Sequence, residues 1–173
     1  MSKGGGRVAA SGRSACPVNL SLEVLGDRWS LLILRDIMFR DRRQFREMLR
    51  KSEENIASNV LTNRLQRLVE AKILTRAAHP GHKQKIVYTL TDRGVQLLPM
   101  LIQLGAWGAD DERSLDSNAL WFKIAAQEGP ATWRQMMTEV AARHSTREAA
   151  APTDEPAFSA VAAKVEASMA QTH

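Results

Sequence analysis

One predicted helix has an outward face of short polar side chains and arginines. Apolar spacing predicts this helix from about Ala57 to Ala71, and its buried stripe consists of Val60, Leu61, Leu65 and Leu68. The outward face consists of Ser58, Asn59, Thr62, Asn63, Gln66 and Arg67. It has no acidic residue before Glu70, whereas an ordinary solvated helix face, which is the alternative interpretation, mixes Glu and Lys.

Side chains of this kind can read the edges of DNA bases when a helix lies in the major groove. The candidates for base contact are Ser58, Asn59, Thr62 and Asn63. Arg64 and Arg67 lie near the edge of the polar face, so we expect them to contact phosphates, which position a protein without specifying sequence.

Basic residues also surround this helix along the chain. Two extended stretches, 73–77 and 85–90, flank a Pro-Gly turn from His79 to Gln84, which predicts a hairpin. The hairpin carries Arg76, His82, Lys83 and Lys85. An arginine-rich loop leads into a short helix from about Gln44 to Lys51, and we expect Arg42, Arg43 and Arg46 to flank the DNA backbone.

The charge of the chain is divided unevenly. The 173 residues carry a net charge of +5, but residues 1–94 hold 18 basic and 9 acidic residues, whereas residues 95–173 hold 6 and 10. A strongly basic half joined to an acidic half suggests that the first half meets a polyanion. Composition by itself leaves open the alternative of an arginine-rich solvated surface.

Cys16 is the only cysteine, and it precedes a predicted helix that begins at Pro17. If Cys16 caps that helix, nearby amides and the helix dipole would lower the pKa of its thiol and raise its reactivity. Within one chain no second thiol can resolve an oxidised form, so only a bond to a second subunit's Cys16 or to a small thiol remains. The alternative, which we favour, is a small residue buried at a dimer interface.

The sequence contains little that indicates metal binding or catalysis. The histidines at 79, 82, 144 and 173 lack metal-ligand spacing, and we find no nucleophile elbow, phosphate loop or paired carboxylates. We therefore expect no enzyme activity, no metal and no cofactor. No apolar run approaches the roughly 18 residues of a membrane span. Since residues 1–15 also lack the apolar region of a secretory signal, we expect a cytoplasmic protein, associated with the bacterial nucleoid if it binds DNA.

Further helices complete the predicted order of elements. Helices are expected at about 17–25 and 28–39, and a longer helix from Thr91 to Trp107 is expected to kink at Pro99. Two more, at 118–127 and 132–143, are separated by Gly129-Pro130, and a weak amphipathic helix is spaced along 158–169. The three helices at about 28–39, 44–51 and 57–71 precede the basic hairpin. Three helices followed by a basic hairpin are the layout of a winged helix-turn-helix.

Several motifs in this region resemble the HxlR family of bacterial transcriptional regulators. They are Cys16-Pro17, Leu25-Gly26-Asp27-Arg28-Trp29-Ser30-Leu31-Leu32-Ile33-Leu34-Arg35-Asp36, Phe45-Arg46-Glu47-Met48, Ile56-Ala57-Ser58-Asn59-Val60-Leu61-Thr62-Asn63-Arg64-Leu65 and Tyr88-Thr89-Leu90-Thr91-Asp92-Arg93-Gly94. The motifs occur in the expected order and spacing from Cys16 to about Gly108.

The resemblance implies a MarR-like winged-helix homodimer on pseudo-palindromic DNA. It implies that Leu61-Thr62-Asn63-Arg64 lies in the recognition helix and that residues 79–85 form the wing tip. Some members of the family sense oxidants or electrophiles through a cysteine in the region of Cys16, which implies an oxidant or another small-molecule effector.

We therefore predict a mainly helical chain with a small hairpin: a winged helix-turn-helix plus a C-terminal helical extension. The predicted segments are a tail at 1–15, the DNA-binding and dimerisation domain at 16–109, a helical extension at 110–147 and an Ala/Pro-rich tail at 148–173. The predicted function is a sequence-specific, homodimeric transcriptional regulator that binds double-stranded DNA. A winged-helix module for protein–protein contact is the alternative.

The C-terminal extension contains large apolar residues whose role has more than one interpretation. They are Trp121, Phe122, Trp133, Met136 and Met137. We expect them to pack on the core or extend a dimer interface, in preference to lining a small-molecule pocket.

Overall fold

The computed structural model describes residues 14–79, 82–112, 114, 118–145 and 158–170. Eight helices and two strands lie in this part of the chain. They are α1 (Pro17–Leu25), α2 (Arg28–Arg40), α3 (Phe45–Arg50), α4 (Ser58–Glu70), β1 (Leu74–His79), β2 (His82–Leu90), α5 (Asp92–Val95), α6 (Leu98–Gly108), α7 (Ala119–Ser145) and α8 (Ser159–Ala170). The predicted fold class, mainly helical with one small hairpin, is confirmed.

Helices α2, α3 and α4 form the helix-turn-helix unit. Helix α2 begins after Asp27, whose carboxylate accepts hydrogen bonds from the backbone N–H groups of Trp29 and Ser30. It ends at Asp41, which adopts the left-handed conformation with φ 47°. Buried leucines of α4 pack against α2, so the polar face of α4 is left outside.

The hairpin is longer than predicted. Leu74 pairs with Leu90, and the antiparallel ladder continues to Ala78 and Ile86 before the register shifts. The predicted turn from 79 to 84 was therefore too long, because backbone pairing extends through polar residues whose side chains give no apolar alternation. Residues 80 and 81 lie outside the described residues. A single bridge from Gln44 to Val87 joins the other edge of β2 to the start of α3.

Pro99 breaks the predicted long helix instead of kinking it. The segment forms two helices, α5 and α6, and Pro99 lies in the first turn of α6. Proline is tolerated in a first turn because the backbone N–H that it lacks has no partner there within the helix.

The C-terminal extension shares one apolar core with the helix-turn-helix unit. Helix α7 is broken at Gly129, whose φ of 75° and ψ of −170° are not helical, and Pro130 follows it. This break lies where the sequence predicted a boundary between two helices. Phe39 of α2 makes edge-to-face contacts with Trp121, Phe122 and Phe158, with ring centroids 5.3 to 5.7 Å apart.

Other apolar residues of the extension also face inward. Met136 is buried, whereas Met137 and Trp133 are half-buried. The Trp133 Nε1–H donates a hydrogen bond to the Ala125 carbonyl at 2.7 Å. These residues therefore contribute to packing within one subunit.

Candidate nucleic-acid interface

The outward face of α4 is a continuous polar surface. Ser58, Asn59, Thr62 and Asn63 are exposed, while Leu61, Leu65 and Leu68 are buried against the core. The Thr62 hydroxyl donates to the Ser58 carbonyl at 2.9 Å, which orients its Oγ1 along the helix. The four candidates for base contact thus share one exposed helix surface.

The two arginines of α4 are tied to the junction between α1 and α2. Arg64 has 23% of its side chain exposed, and its Nε lies 3.0 Å from Asp27 Oδ1. Arg67 is exposed, and its Nη2 donates to the Glu23 carbonyl at 3.0 Å. Glu23 lies in the last turn of α1, where a cation complements the helix dipole. Both predicted phosphate contacts therefore have partners inside the protein.

Arg42 and Arg43 are not on the surface. They are 6% and 0% exposed, and Arg42 Nη1 lies 3.3 Å from Asp36 Oδ2. Arg43 Nε lies 3.0 Å from Asp41 Oδ1, and its Nη1 donates to the Arg143 carbonyl at 3.4 Å. The expectation that these two arginines flank DNA is wrong in this structure, because the loop turns them into an interior cluster of charged and polar groups.

The remaining basic candidates lie on the side of the hairpin and α3. Arg46, Arg76 and Lys85 are exposed. Arg46 and Lys85 line a groove of about 410 Å³ between the start of α3 and β2, together with Gln44 and Tyr88. Burial raises the pKa of the Tyr88 phenol. This groove brings together two cations predicted from separate segments of the sequence.

His82 and Lys83 belong to strand β2, but their side chains lie outside the described residues. Their predicted phosphate contacts stay predictions.

A family model described as HxlR-like helix-turn-helix matches residues 24–115, more than half of the chain. The chain belongs to the HxlR-like family. As a member, it is a DNA-binding helix-turn-helix regulator of transcription. The match ends before α7, so helices α7 and α8 lie beyond the part that the family model covers.

Individual relatives agree with this assignment. The uncharacterized HTH-type transcriptional regulator sll1512 of Synechocystis is 29% identical over 115 residues, which cover 66% of this chain and 82% of that protein. The HTH-type transcriptional regulator YodB of Bacillus subtilis is 31% identical over 97 residues, covering 56% and 85% respectively. The crystal structure of PA1607, a candidate transcription factor, superposes with a TM-score of 0.51 at 32% identity and covers 63% of this chain and 74% of PA1607.

Cys16 of this HxlR-like chain occupies the N-cap position of α1 and is exposed. The backbone N–H groups of Asn19 and Val18 lower the pKa of its thiol. Burial of Cys16 at an interface would therefore have to come from a second subunit.

His144 is a buried residue for which the sequence offered no signal. It is 6% exposed, and its Nδ1 accepts a hydrogen bond from the Leu90 N–H at 3.2 Å. Burial, with the nearby charges of Arg43 and Arg143, lowers the pKa of His144 to about 3. The last turn of α7 is thereby joined to the base of the hairpin by a neutral imidazole.

Metal-binding clusters and membrane-spanning helices are both absent from the part of the chain that the structure describes. That part contains no group of three or more His, Cys, Asp or Glu residues that could hold a metal ion. None of its helices is long and apolar enough to span a membrane.

Proposed function

We propose that this chain is a sequence-specific regulator that binds a pseudo-palindromic DNA operator as a homodimer, with α4 in the major groove. The observation that carries this proposal is the exposed face of α4. Its first turns present two asparagines, a serine and a threonine, and no carboxylate precedes Glu70. Asn side chains can make paired hydrogen bonds to adenine, and Ser and Thr can bond to several bases.

The exposed cations support an approach to DNA from the same unit. Arg46 lies on α3, and Arg76 and Lys85 lie on the hairpin that follows α4. In this proposal the hairpin follows the phosphates beside the groove that α4 enters, and Lys83 and His82 contribute near its tip. Each neutralised phosphate releases counterions, so affinity for DNA should fall as salt rises.

Two exposed apolar stripes support pairing of subunits. On α1, Val18 and Leu22 are 66% and 59% exposed. On α6, Met100, Leu104 and Trp107 follow helical spacing, and Trp107 is 79% exposed. Apolar clusters of this kind mark interaction surfaces. A symmetric dimer through α1 and α6 would set its two α4 helices about 34 Å apart, one turn of DNA, to meet successive major grooves.

Cys16 supplies a candidate sensor for such a dimer. An exposed thiol with a lowered pKa reacts readily with oxidants, and the remaining route to a disulfide runs to the second subunit's Cys16 or to a small thiol. Treatment with a thiol oxidant should then give a crosslinked dimer on a non-reducing gel and change operator affinity, and Cys16→Ser should abolish both effects. An unchanged operator affinity in oxidised wild-type protein would refute a sensor role for Cys16.

The test of the main proposal is a DNA-binding titration at several salt concentrations. Genome-wide occupancy in the bacterial host would supply the operator, and random DNA of equal length would serve as the control. We expect the operator to bind at least about 1,000-fold more tightly than random DNA, with an affinity that falls as salt rises. Equal affinity for all sequences would overturn the proposal and favour a protein–protein interaction module. In that case Trp107, which is 79% exposed, is the residue to substitute in a test of protein–protein contact.

A further inference from the structure

We propose that Arg64 is a positioning residue that orients Asn63 for base reading, and that Asp27 holds Arg64 in place. The inference rests on the proposed role of α4 in the major groove. It replaces the expectation that Arg64 grips a phosphate.

The three side chains form a connected relay from the start of α2 to the outward face of α4. Arg64 Nε lies 3.0 Å from Asp27 Oδ1, and Arg64 Nη1 donates to Asn63 Oδ1 at 3.3 Å. The guanidinium thus contacts a carboxylate on one side and the amide oxygen of the candidate base reader on the other.

Asp27 is itself held firmly. Its Oδ1 accepts from the Trp29 and Ser30 N–H groups at 3.1 Å each, and its Oδ2 accepts from the Ser30 hydroxyl at 2.7 Å. Ser30 is buried at the start of α2. The carboxylate is therefore fixed relative to the core before it contacts Arg64, so the relay starts from a rigid point.

Arg64 can fix the orientation of the Asn63 amide because a guanidinium only donates hydrogen bonds. It selects the oxygen of the amide and leaves the NH₂ group on the opposite side. Reading adenine requires the amide oxygen to accept from N6 and the NH₂ group to donate to N7. The oxygen has two acceptor positions, so it can serve Arg64 and adenine together. An amide that is already oriented loses less conformational entropy when DNA binds.

A phosphate-gripping role fits these contacts less well. The Asp27 carboxylate offsets the Arg64 charge, and most of the Arg64 side chain is covered. Arg67, on the same helix, is exposed and contacts a neutral carbonyl of α1. Arg67→Lys is therefore the matched comparison for Arg64→Lys, because it changes an arginine of the same helix outside the relay.

Asp27→Asn tests the relay directly. Asparagine is as good an N-cap as aspartate, because its Oδ1 still accepts from the Trp29 and Ser30 N–H groups and its NH₂ group can donate to the Ser30 hydroxyl that now donates to Oδ2. The start of α2 is thus kept while the charge that holds Arg64 is removed. Binding is measured on the operator and on a variant operator altered at the base pair that Asn63→Ala identifies. We expect Asp27→Asn to weaken operator binding about five-fold, to leave the variant operator unchanged, and to cause no further loss in an Asn63→Ala background. Asp92→Asn, which removes an exposed carboxylate at the start of α5, controls for net charge.

A phosphate-contacting role for Arg64 predicts that Asp27→Asn strengthens DNA binding. If Arg64 grips a phosphate, Asp27→Asn frees its charge, and both DNAs should bind more tightly with a steeper salt dependence. That result, or an equal weakening on both DNAs, would overturn the inference.

Arg64→Lys gives a second, independent measurement. Lysine keeps the charge for a phosphate but cannot hold two partners in the geometry of a guanidinium. We expect it to lose discrimination at the Asn63 base pair with an unchanged salt dependence, and retention of full discrimination would overturn the inference. A wild-type protein with no preference for its operator would overturn the proposed function and this inference with it. A clear wild-type preference, with Asp27→Asn acting equally on both DNAs, would overturn this inference alone.

Discussion

Acid should destabilise this protein through the buried side chain of His144. Burial and the charges of Arg43 and Arg143 lower the pKa of His144 from 6.5 to about 3 in the folded chain. The unfolded chain recovers the ordinary pKa, so between these two values the unfolded state binds more protons than the folded state. Stability is therefore complete above the unfolded pKa and falls as the pH drops below it.

The size of the effect follows from the same shift. Each pKa unit corresponds to about 1.4 kcal/mol, so lowering the pH from about 7.5 to about 5 should remove about 2 kcal/mol of unfolding free energy. Protonation would also place a third positive charge beside two arginines and remove the Nδ1 lone pair that accepts from the Leu90 N–H.

Urea denaturation at both pH values, at one fixed protein concentration, measures the loss. The matched control is His144→Asn, because its Oδ1 can take the place of Nδ1 toward Leu90 but does not titrate. The variant should lose about 1–3 kcal/mol at both pH values through poorer packing. Its unfolding free energy should nevertheless change by about 2 kcal/mol less than that of the wild type between the two pH values. An identical pH dependence in the two proteins would refute a neutral, buried His144.

Three further predictions concern packing, assembly and DNA reading. Gly105→Ala should destabilise the fold by about 1–3 kcal/mol in thermal or urea unfolding, because overpacking forces neighbours to move; a Cβ at this position would lie 2.4 Å from the Phe122 ring. Trp107→Ser should shift the dimer towards monomer in light scattering at micromolar concentration with little change in subunit folding, because the side chain is 79% exposed. Asn63→Ala should cost about 1–3 kcal/mol on the operator and much less on random DNA, whereas Lys83→Ala should weaken both alike and reduce the salt slope by about one per subunit.

For each of these three predictions, one experimental result would contradict the expected outcome. Gly108→Ala is the control for the packing prediction, because no atom of the described residues outside the local helix backbone lies within 4 Å of a Cβ there. Equal effects at the two glycines would exclude a clash with the aromatic ring. A wild-type protein that is monomeric in the presence of a two-half-site operator would contradict pairing of subunits. A Lys83 variant that alters sequence preference, beside an Asn63 variant that does not, would make the hairpin the reading element.

The helices of the DNA-binding unit could be located from local signals. Amphipathic spacing placed α4 within one residue at each end, and the apolar pattern predicted a helix at about 28–39 where the structure has α2. The Pro99 region shows the limit of such signals. A continuous apolar pattern predicted one kinked helix, but a proline lacks a backbone N–H and is better placed in a first turn, so the chain forms two helices.

The environment of charged residues was not predictable in the same way. Arg42 and Arg43 follow a helix in a polar, basic loop, and nothing in that segment distinguishes a surface arginine from a buried one. Arg43 donates to a carbonyl 100 positions away, and His144 accepts from an N–H 54 positions away. The burial of Arg43 and His144 depends on where α7 packs, which is a property of the folded chain.

The sequence by itself determined the winged helix-turn-helix order, the polar face of α4 and the basic character of the DNA-binding half. These features depend on residue spacing within one element, and local spacing is visible in a sequence. Only the tertiary structure decided which arginines are free to meet DNA and which are bound inside the protein. Arg64 lies beside Asp27 because α4 packs across the start of α2, and Arg43 is buried because α7 covers it. Ion pairs and burial depend on distances between segments, and those distances exist only once the chain has folded.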